Sequence, residues 1–191
     1  MKTIHKASWY WFQGKGWMVN AKCSGLYTHI LRAVIGIFQQ ALSSHRRVFV
    51  FRFDIRPKIE SETNAFASSI ATKLRLASRL RYPKSSFSYC WVRESHALKV
   101  EHYHFVVFMD GRHIRHPHTL QIDLRNICAE QGGSHHWAGY HLLDKTKNEY
   151  DQSVQLASHH LSYLAKVRSK GDRPPRTRDF STSRMDWGAG E

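Results

Sequence analysis

The sequence predicts an α+β fold: a single antiparallel sheet of the split βαβ kind with helices stacked on it. Four segments space their apolar residues at three- and four-residue steps, as amphipathic helices do. Other segments are short runs rich in β-branched and aromatic residues, bounded by Pro, Gly or Asp. The order of these segments contains strand–helix–strand–strand–helix–strand, a plan whose first and third strands are central neighbours in one sheet.

Residues 1–24 are aromatic, lysine-rich and glycine-punctuated (Trp9, Trp11, Gly14, Gly16, Trp17), and no element is assigned to them. Leu26 to Leu42 is the first helix, with Leu26, Ile30, Leu31, Val34, Ile37, Phe38 and Leu42 on its stripe. Arg47 to Ile55 alternates β-branched and aromatic residues and is stopped by Pro57, hence a strand. Ala65 to Leu80 is helical in spacing (Phe66, Ile70, Leu74, Ala77), and Pro83 closes it. Phe87 to Glu94 and Val100 to Met109 form a hairpin through Ser95–Lys99, with Asp110-Gly111 as the exit turn. Pro117 to Glu130 is a helix (Leu120, Leu124, Ile127), Trp137 to Leu143 a short strand, and Gln152 to Val167 the last helix. Beyond Lys170, Gly171, Pro174, Pro175 and a run of arginines read as a flexible basic tail. The expected organisation is an unassigned extension over 1–24, one domain over 25–168, and a tail over 169–191.

Lys and Arg number 29 against 15 acids, a net charge of +14. Such a surplus suits a polyanion, because each neutralised phosphate releases condensed counterions. Charge alone does not choose between DNA, RNA and an acidic membrane surface. The longest apolar runs, such as Phe105 to Met109, are too short to span a bilayer, and the N-terminus has no uninterrupted apolar stretch. A cytoplasmic location is the expectation. Cys23, Cys90 and Cys128 are far apart with no C-x-x-C pair, so neither a disulfide framework nor a cysteine zinc site is supported and buried free thiols are expected.

The chemistry concentrates in Glu101-His102-Tyr103-His104-Phe105. On a strand, His102 and His104 project from one face, and two imidazoles at that spacing can bite one divalent metal. H-x-H has little specificity in a chain with 14 histidines. What sets this one apart is an otherwise apolar strand and a carboxylate on the hairpin partner, Glu94, which the turn folds back beside the pair. Asp54, ending the other neighbouring strand, is the alternative ligand. On the last helix Tyr163 and Lys166 are three residues apart and are expected to share a face. A phenol near its usual pKa is a poor nucleophile unless a metal polarises the electrophile or a cation lies close. Y-x-x-K by itself also describes an ordinary amphipathic turn.

The set Val48–Asp54, His102-Tyr103-His104 and Tyr163-Leu164-Ala165-Lys166, in that order, resembles the HUH endonuclease superfamily. The finer pattern, Arg52-Phe53-Asp54-Ile55-Arg56, then Trp91-Val92-Arg93-Glu94, then Glu101–His104, resembles the inovirus-type replication initiators of filamentous phages and related mobile elements. The resemblance implies a metal-dependent enzyme that nicks and rejoins single-stranded or hairpin origin DNA to start rolling-circle replication alongside host replication machinery. It implies Mg²⁺ or Mn²⁺ on His102, His104 and Glu94, with Tyr163 as the nucleophile that forms a 5′-phosphotyrosine and Lys166 stabilising charge. Initiators with two catalytic tyrosines carry both on one helix turn; here the helix offers Tyr163, and Tyr150 lies before it.

Arg52, Arg56 and Arg93 are candidates for the DNA backbone, and Trp91, Trp137 and Tyr140 for stacking on unpaired bases. The tail arginines Arg173, Arg176, Arg178 and Arg184 are candidate clamps. Two rival classes remain open from sequence. A non-catalytic DNA-binding protein, a repressor or degenerate initiator, would use the same basic face; an RNA-binding protein with a similar sheet would account for the charge.

Overall fold

In the computed structural model, residues 3–59, 61–96, 99–168, 170 and 177–183 are described, the side chains of 95, 96, 99 and 100 excepted. The elements, in chain order, are β1 (Ile4–His5), β2 (Trp9–Phe12), β3 (Lys15–Met18), β4 (Leu26–Tyr27), α1 (Thr28–Ser44), β5 (Arg47–Pro57), α2 (Ala65–Arg81), β6 (Phe87–His96), β7 (Lys99–Asp110), α3 (His118–Glu130), β8 (Gly133–Asp144), α4 (Tyr150–Leu161), a 3₁₀ turn (Ser162–Ala165) and β9 (Phe180–Thr182). The fold is α+β. Its five-stranded sheet runs β8-β5-β7-β6-β9 with every neighbouring pair antiparallel. The strand bearing the histidine pair, β7, lies between β5 and β6, as the sequence order predicts.

Alternation along the strands separates two cores. Val48 and Val50 of β5, Val106 and Phe108 of β7, and Cys90 and Val92 of β6 face α1 and α4. Phe49, Phe51, Phe53 and Ile55, with Tyr103, Phe105 and Val107, face α2 and α3 on the other side. Both faces are covered, which is why β5 and β7 read as nearly continuous apolar runs. Phe38 of α1 stacks on Phe108 at 5.7 Å between ring centres, and Phe53 on Phe105 at 5.1 Å. Burying a side chain of this size contributes roughly 1.5–3 kcal/mol.

One unassigned stretch gains elements, and two expectations are corrected. Residues 3–24, to which no element was assigned, carry three strands and pack on the core. β2 and β3 form a hairpin whose two turn residues, Gln13 (φ 49°) and Gly14 (φ 74°), both lie left-handed, the twist a two-residue hairpin needs. Gln-Gly is a weak signal for that turn beside Asn-Gly, and Trp17, fully buried on Phe38, fastens the hairpin to the core. The expected continuous helix to Val167 stops at Leu161 and tightens into the 3₁₀ turn. The tail is partly structured: Phe180–Thr182 pairs with β6 as an edge strand, and Lys170 and Thr177 are buried. Of the cysteines, Cys90 and Cys128 are buried and Cys23 is exposed. Among the described residues no helix is long and apolar enough to cross a membrane.

Candidate metal centre and its tyrosine

The α1/α4 face of the sheet changes character along three adjacent strands. After Val48 and Val50, the same side of β5 carries Arg52, Asp54 and Arg56; β7 passes from Phe108 and Val106 to His104 and His102; β6 passes from Cys90 and Val92 to Glu94. The ladder puts Asp54 opposite His104 and Glu94 opposite His102. Antiparallel register brings these polar residues to one level, and strand period keeps them on one face.

Glu94 Oε2 lies 2.8 Å from His102 Nε2, and Glu94 Oε1 lies 3.0 Å from His104 Nε2. One donor atom from each of the three residues falls within 4.8 Å of the others. Glu94 and His104 are buried and His102 half-buried. Burial pushes the Glu94 carboxyl up, but the imidazoles of His102 and His104 and the ammonium of Lys170 outweigh it and hold the group well below the usual carboxylate range. Burial likewise opposes charge on His104, and Asp54 and Glu94 outweigh it, raising its pKa.

Two observations test whether a divalent cation fits. His104 Nε2 is buried and makes no hydrogen bond, although a carboxylate oxygen stands 3.0 Å away; the contact lacks hydrogen-bond direction. A second carboxylate, Asp54, reaches the far nitrogen of the same ring, Oδ1 to Nδ1 at 2.6 Å. Nitrogens and an oxygen converging from two strands, with a carboxylate behind one imidazole, match the donor set and outer shell of a divalent-metal site. Of the two acids named from sequence, Glu94 therefore belongs with the histidines and Asp54 orients His104. Lys170 Nζ is bonded to Glu94 Oε1 at 3.1 Å and to the Lys166 carbonyl at 2.9 Å.

Tyr163 comes to this cluster from the 3₁₀ turn. Its ring stands perpendicular to that of His104, centres 5.3 Å apart, and the Arg52 guanidinium lies 4.6 Å from its centroid. Residues 20–26 position that turn. The Asn20 N–H donates to Ser162 Oγ (2.8 Å), Lys166 pairs with Leu26 as a β-bridge, and the Val167 N–H donates to the Gly25 carbonyl (3.2 Å). Gly25 has φ +71°, and a Cβ there would lie 2.6 Å from Ile4 Cγ2, so the close passage of β1 needs glycine.

The structure thus brings together His102, His104, Glu94, Asp54, Arg52 and Tyr163, and separates others from them. Lys166 follows the 3₁₀ turn in a non-helical conformation, so it does not share a helix face with Tyr163; its ammonium donates to Asn20 Oδ1 (3.2 Å) and the Lys22 carbonyl (2.6 Å). Trp91, expected to stack on bases, is 2% exposed in the α2/α3 core. Arg93 points to that same opposite side, paired with buried Glu101 at 3.1 Å and donating to the Ser61 carbonyl at 2.8 Å. Both corrections have one cause: strand alternation sends odd-numbered residues of β6 away from the Glu94 face. Arg56 is exposed and, with Asp54, Ser134, His135 and His136, lines a cavity of about 290 Å³ beside the cluster. Trp137 and Tyr140 are exposed on edge strand β8, centres 6.4 Å apart. Arg178 is exposed; Arg173, Arg176 and Arg184 lie outside the described residues. Tyr150 opens α4, packed against the α1/α4 core.

Sequence reasoning missed Lys170, placed in a stretch with no periodic signal, and the pair His141 Nε2–His160 Nδ1 at 3.0 Å. Burial, then the neighbouring Arg52 and histidines, pushes His160 down to about 4, so it is uncharged at neutral pH.

An α+β domain with a metal-competent Glu–His–His cluster on its sheet is the class this geometry defines. The chain belongs to the YagK/YfjJ C-terminal domain family, whose profile matches residues 13–127. The match includes Arg52, Asp54, Glu94, His102 and His104, and ends before β8 and Tyr163. No curated protein and no solved structure matches the chain.

Proposed function

We propose that this chain is a metal-dependent, single-strand DNA nicking and joining enzyme of the HUH type, and that it starts rolling-circle replication. The observation that carries the reading is the meeting of Tyr163 with His104, ring centres 5.3 Å apart, at a cluster of Glu94, His102 and His104. The sequence resemblance implies a tyrosine carried on a C-terminal helix to a histidine pair on a central strand, and here the 3₁₀ turn that continues α4 carries it. The strand order β8-β5-β7-β6, with α2 and α3 crossing between strands, supports the split βαβ HUH plan.

On this reading His102, His104 and Glu94 hold Mg²⁺ or Mn²⁺, and the bound cation supplies polarisation of a non-bridging phosphate oxygen. Asp54 keeps the His104 ring oriented with Nε2 toward the cluster. The Tyr163 hydroxyl oxygen attacks the phosphorus and releases its proton to solvent. The tyrosine O–P bond forms as the bond to the 3′ oxygen breaks; that oxygen takes a proton from solvent, leaving a 5′-phosphotyrosine and a free 3′-OH. Attack by a 3′-OH on that phosphotyrosine reverses the step and rejoins the strand. The partner is single-stranded or hairpin origin DNA, with the host replication machinery extending the free 3′ end. The net charge of +14 favours such a partner.

The test is incubation with labelled single-stranded oligonucleotides and Mn²⁺, followed by a denaturing gel. A covalent protein–DNA band that needs metal and vanishes in Tyr163→Phe is expected. Full nicking by Tyr163→Phe sinks the reading. Salt-sensitive binding with no adduct on any oligonucleotide replaces it with a non-catalytic DNA-binding protein.

A further inference from the structure

Among the described residues, Arg52 is the cation at the cluster that its surroundings do not explain. It sits on interior strand β5, 7% exposed, yet among the described residues it makes no hydrogen bond and no ion pair within contact distance. Its Nε is fully buried with no acceptor. Its close partner is the face of Tyr163, 4.6 Å away. The carboxylates of Asp54 and Glu94 offset its charge through space, but each is engaged elsewhere, Asp54 by His104 and Glu94 by His102, His104 and Lys170. Lys170 brings only donors, and His160, which is uncharged, has its Nδ1 engaged by His141.

A guanidinium has five N–H donors and cannot shed its proton. Here the Nε–H is cut off from solvent without an acceptor, which is costly, while the terminal nitrogens keep a solvent-facing edge on which a ligand can land. The missing partner must bring anionic oxygens. The planar fork matches a tetrahedral phosphate, two of whose oxygens it can take at once. We propose that Arg52 is a built receptor for a phosphodiester group, gripping non-bridging oxygen while its cationic face braces the Tyr163 ring. The identity of the ligand rests on the nicking reading; the need for an oxyanion rests on burial and missing acceptors alone. Arg52 is thereby moved from a surface contact along the DNA backbone to the phosphate that Tyr163 would meet.

The experiment uses the full chain in EDTA, so that no metal takes part, with inorganic phosphate and a dithymidine phosphodiester as separate probes followed by ³¹P NMR titration. Arg52→Met is expected to weaken diester binding about ten-fold or more, and Arg52→Lys, which keeps the charge but loses the fork, about three-fold. Arg52→Met is also expected to melt at the wild-type temperature or above it, since an unpaired buried charge is gone. Diester affinity unchanged in Arg52→Met overturns the receptor. If that variant does not fold, unchanged affinity in Arg52→Lys overturns it instead. Binding of inorganic phosphate but not the diester overturns the phosphodiester assignment in favour of a free phosphate ion. Arg52-dependent diester binding without any covalent DNA adduct keeps the receptor and sinks the nicking reading. A full adduct in both wild type and Arg52→Met, with equal diester affinity, does the reverse.

Discussion

Asp54 Oδ1 and His104 Nδ1 stand 2.6 Å apart across β5 and β7, and this contact leaves His104 Nε2 facing Glu94. Removing the carboxylate frees the ring to turn. Asp54→Ala is expected to lower Mn²⁺ affinity by roughly 10–100-fold, the usual cost of losing the group behind a metal-binding histidine. Isothermal titration checks it; unaltered affinity would mean that packing alone orients the ring.

Lys166 is a structural tie between the tyrosine turn and the N-terminal segment, through Asn20 Oδ1 and the Lys22 carbonyl. Lys166→Met strands two acceptors and is expected to destabilise the fold by about 1–3 kcal/mol. Denaturant unfolding measures this. A stability change near zero would return the lysine to consideration as a catalytic group.

Arg93 and Glu101 form an ion pair in which both side chains are nearly inaccessible, 4% and 3% exposed. Glu101 also accepts from the Ser61 N–H and the Tyr103 hydroxyl, so the pair holds the 61–64 segment against the sheet. Glu101→Gln leaves Arg93 without its counter-charge and is expected to cost about 3–5 kcal/mol. The double change Arg93→Met/Glu101→Leu is expected to recover much of that. Additive losses in the double-mutant cycle would show that the two side chains do not act as a pair.

Trp137 is 48% exposed whereas Trp91 is 2% exposed, which separates two roles that look alike in sequence. Trp137 lies opposite Phe53, on the α2/α3 side of the sheet and away from the Glu94 face, so Trp137→Ala is expected to leave both oligothymidine binding and melting temperature little changed. Trp91→Ala is expected to cost about 3–5 kcal/mol of stability instead. Fluorescence anisotropy and thermal melts on both variants distinguish them.

Asp144 shows a pH dependence whose sign can be worked out. The Thr146 N–H and hydroxyl, and then Arg47, hold its carboxyl down to about 2 from the ordinary value of 3.8. A depressed carboxylate stabilises the fold above its unfolded pKa, and that contribution is lost as pH falls through its folded one. Stability should therefore drop between pH 3.8 and about 2. Asp144→Asn should flatten that part of the acid limb in a pH series of urea melts, and an unchanged slope would count against the contact.

The amino-acid sequence by itself determined the four helices, save where the last one ends, and the order of the principal strands, because helical spacing and long apolar β-branched runs are local signals. It also determined that His102 and His104 share a face, since alternation along one strand is a local property. It named Glu94 as the third ligand and left Asp54 open as the alternative. Only the register of β6 and β5 against β7 placed one carboxylate in the cluster and the other behind it, and register depends on the whole sheet. Alternation along β6 already sets Trp91 and Arg93 on the face opposite Glu94. Only the packing of α2 and the 61–64 segment buried them there, and only the break of the last helix took Lys166 off the face of Tyr163. Tertiary structure also brought Lys170 to Glu94 and residues 20–26 to the tyrosine turn, contacts between segments more than 70 residues apart in one case and 130 in the other. No periodicity spans such distances; they close when the two cores close.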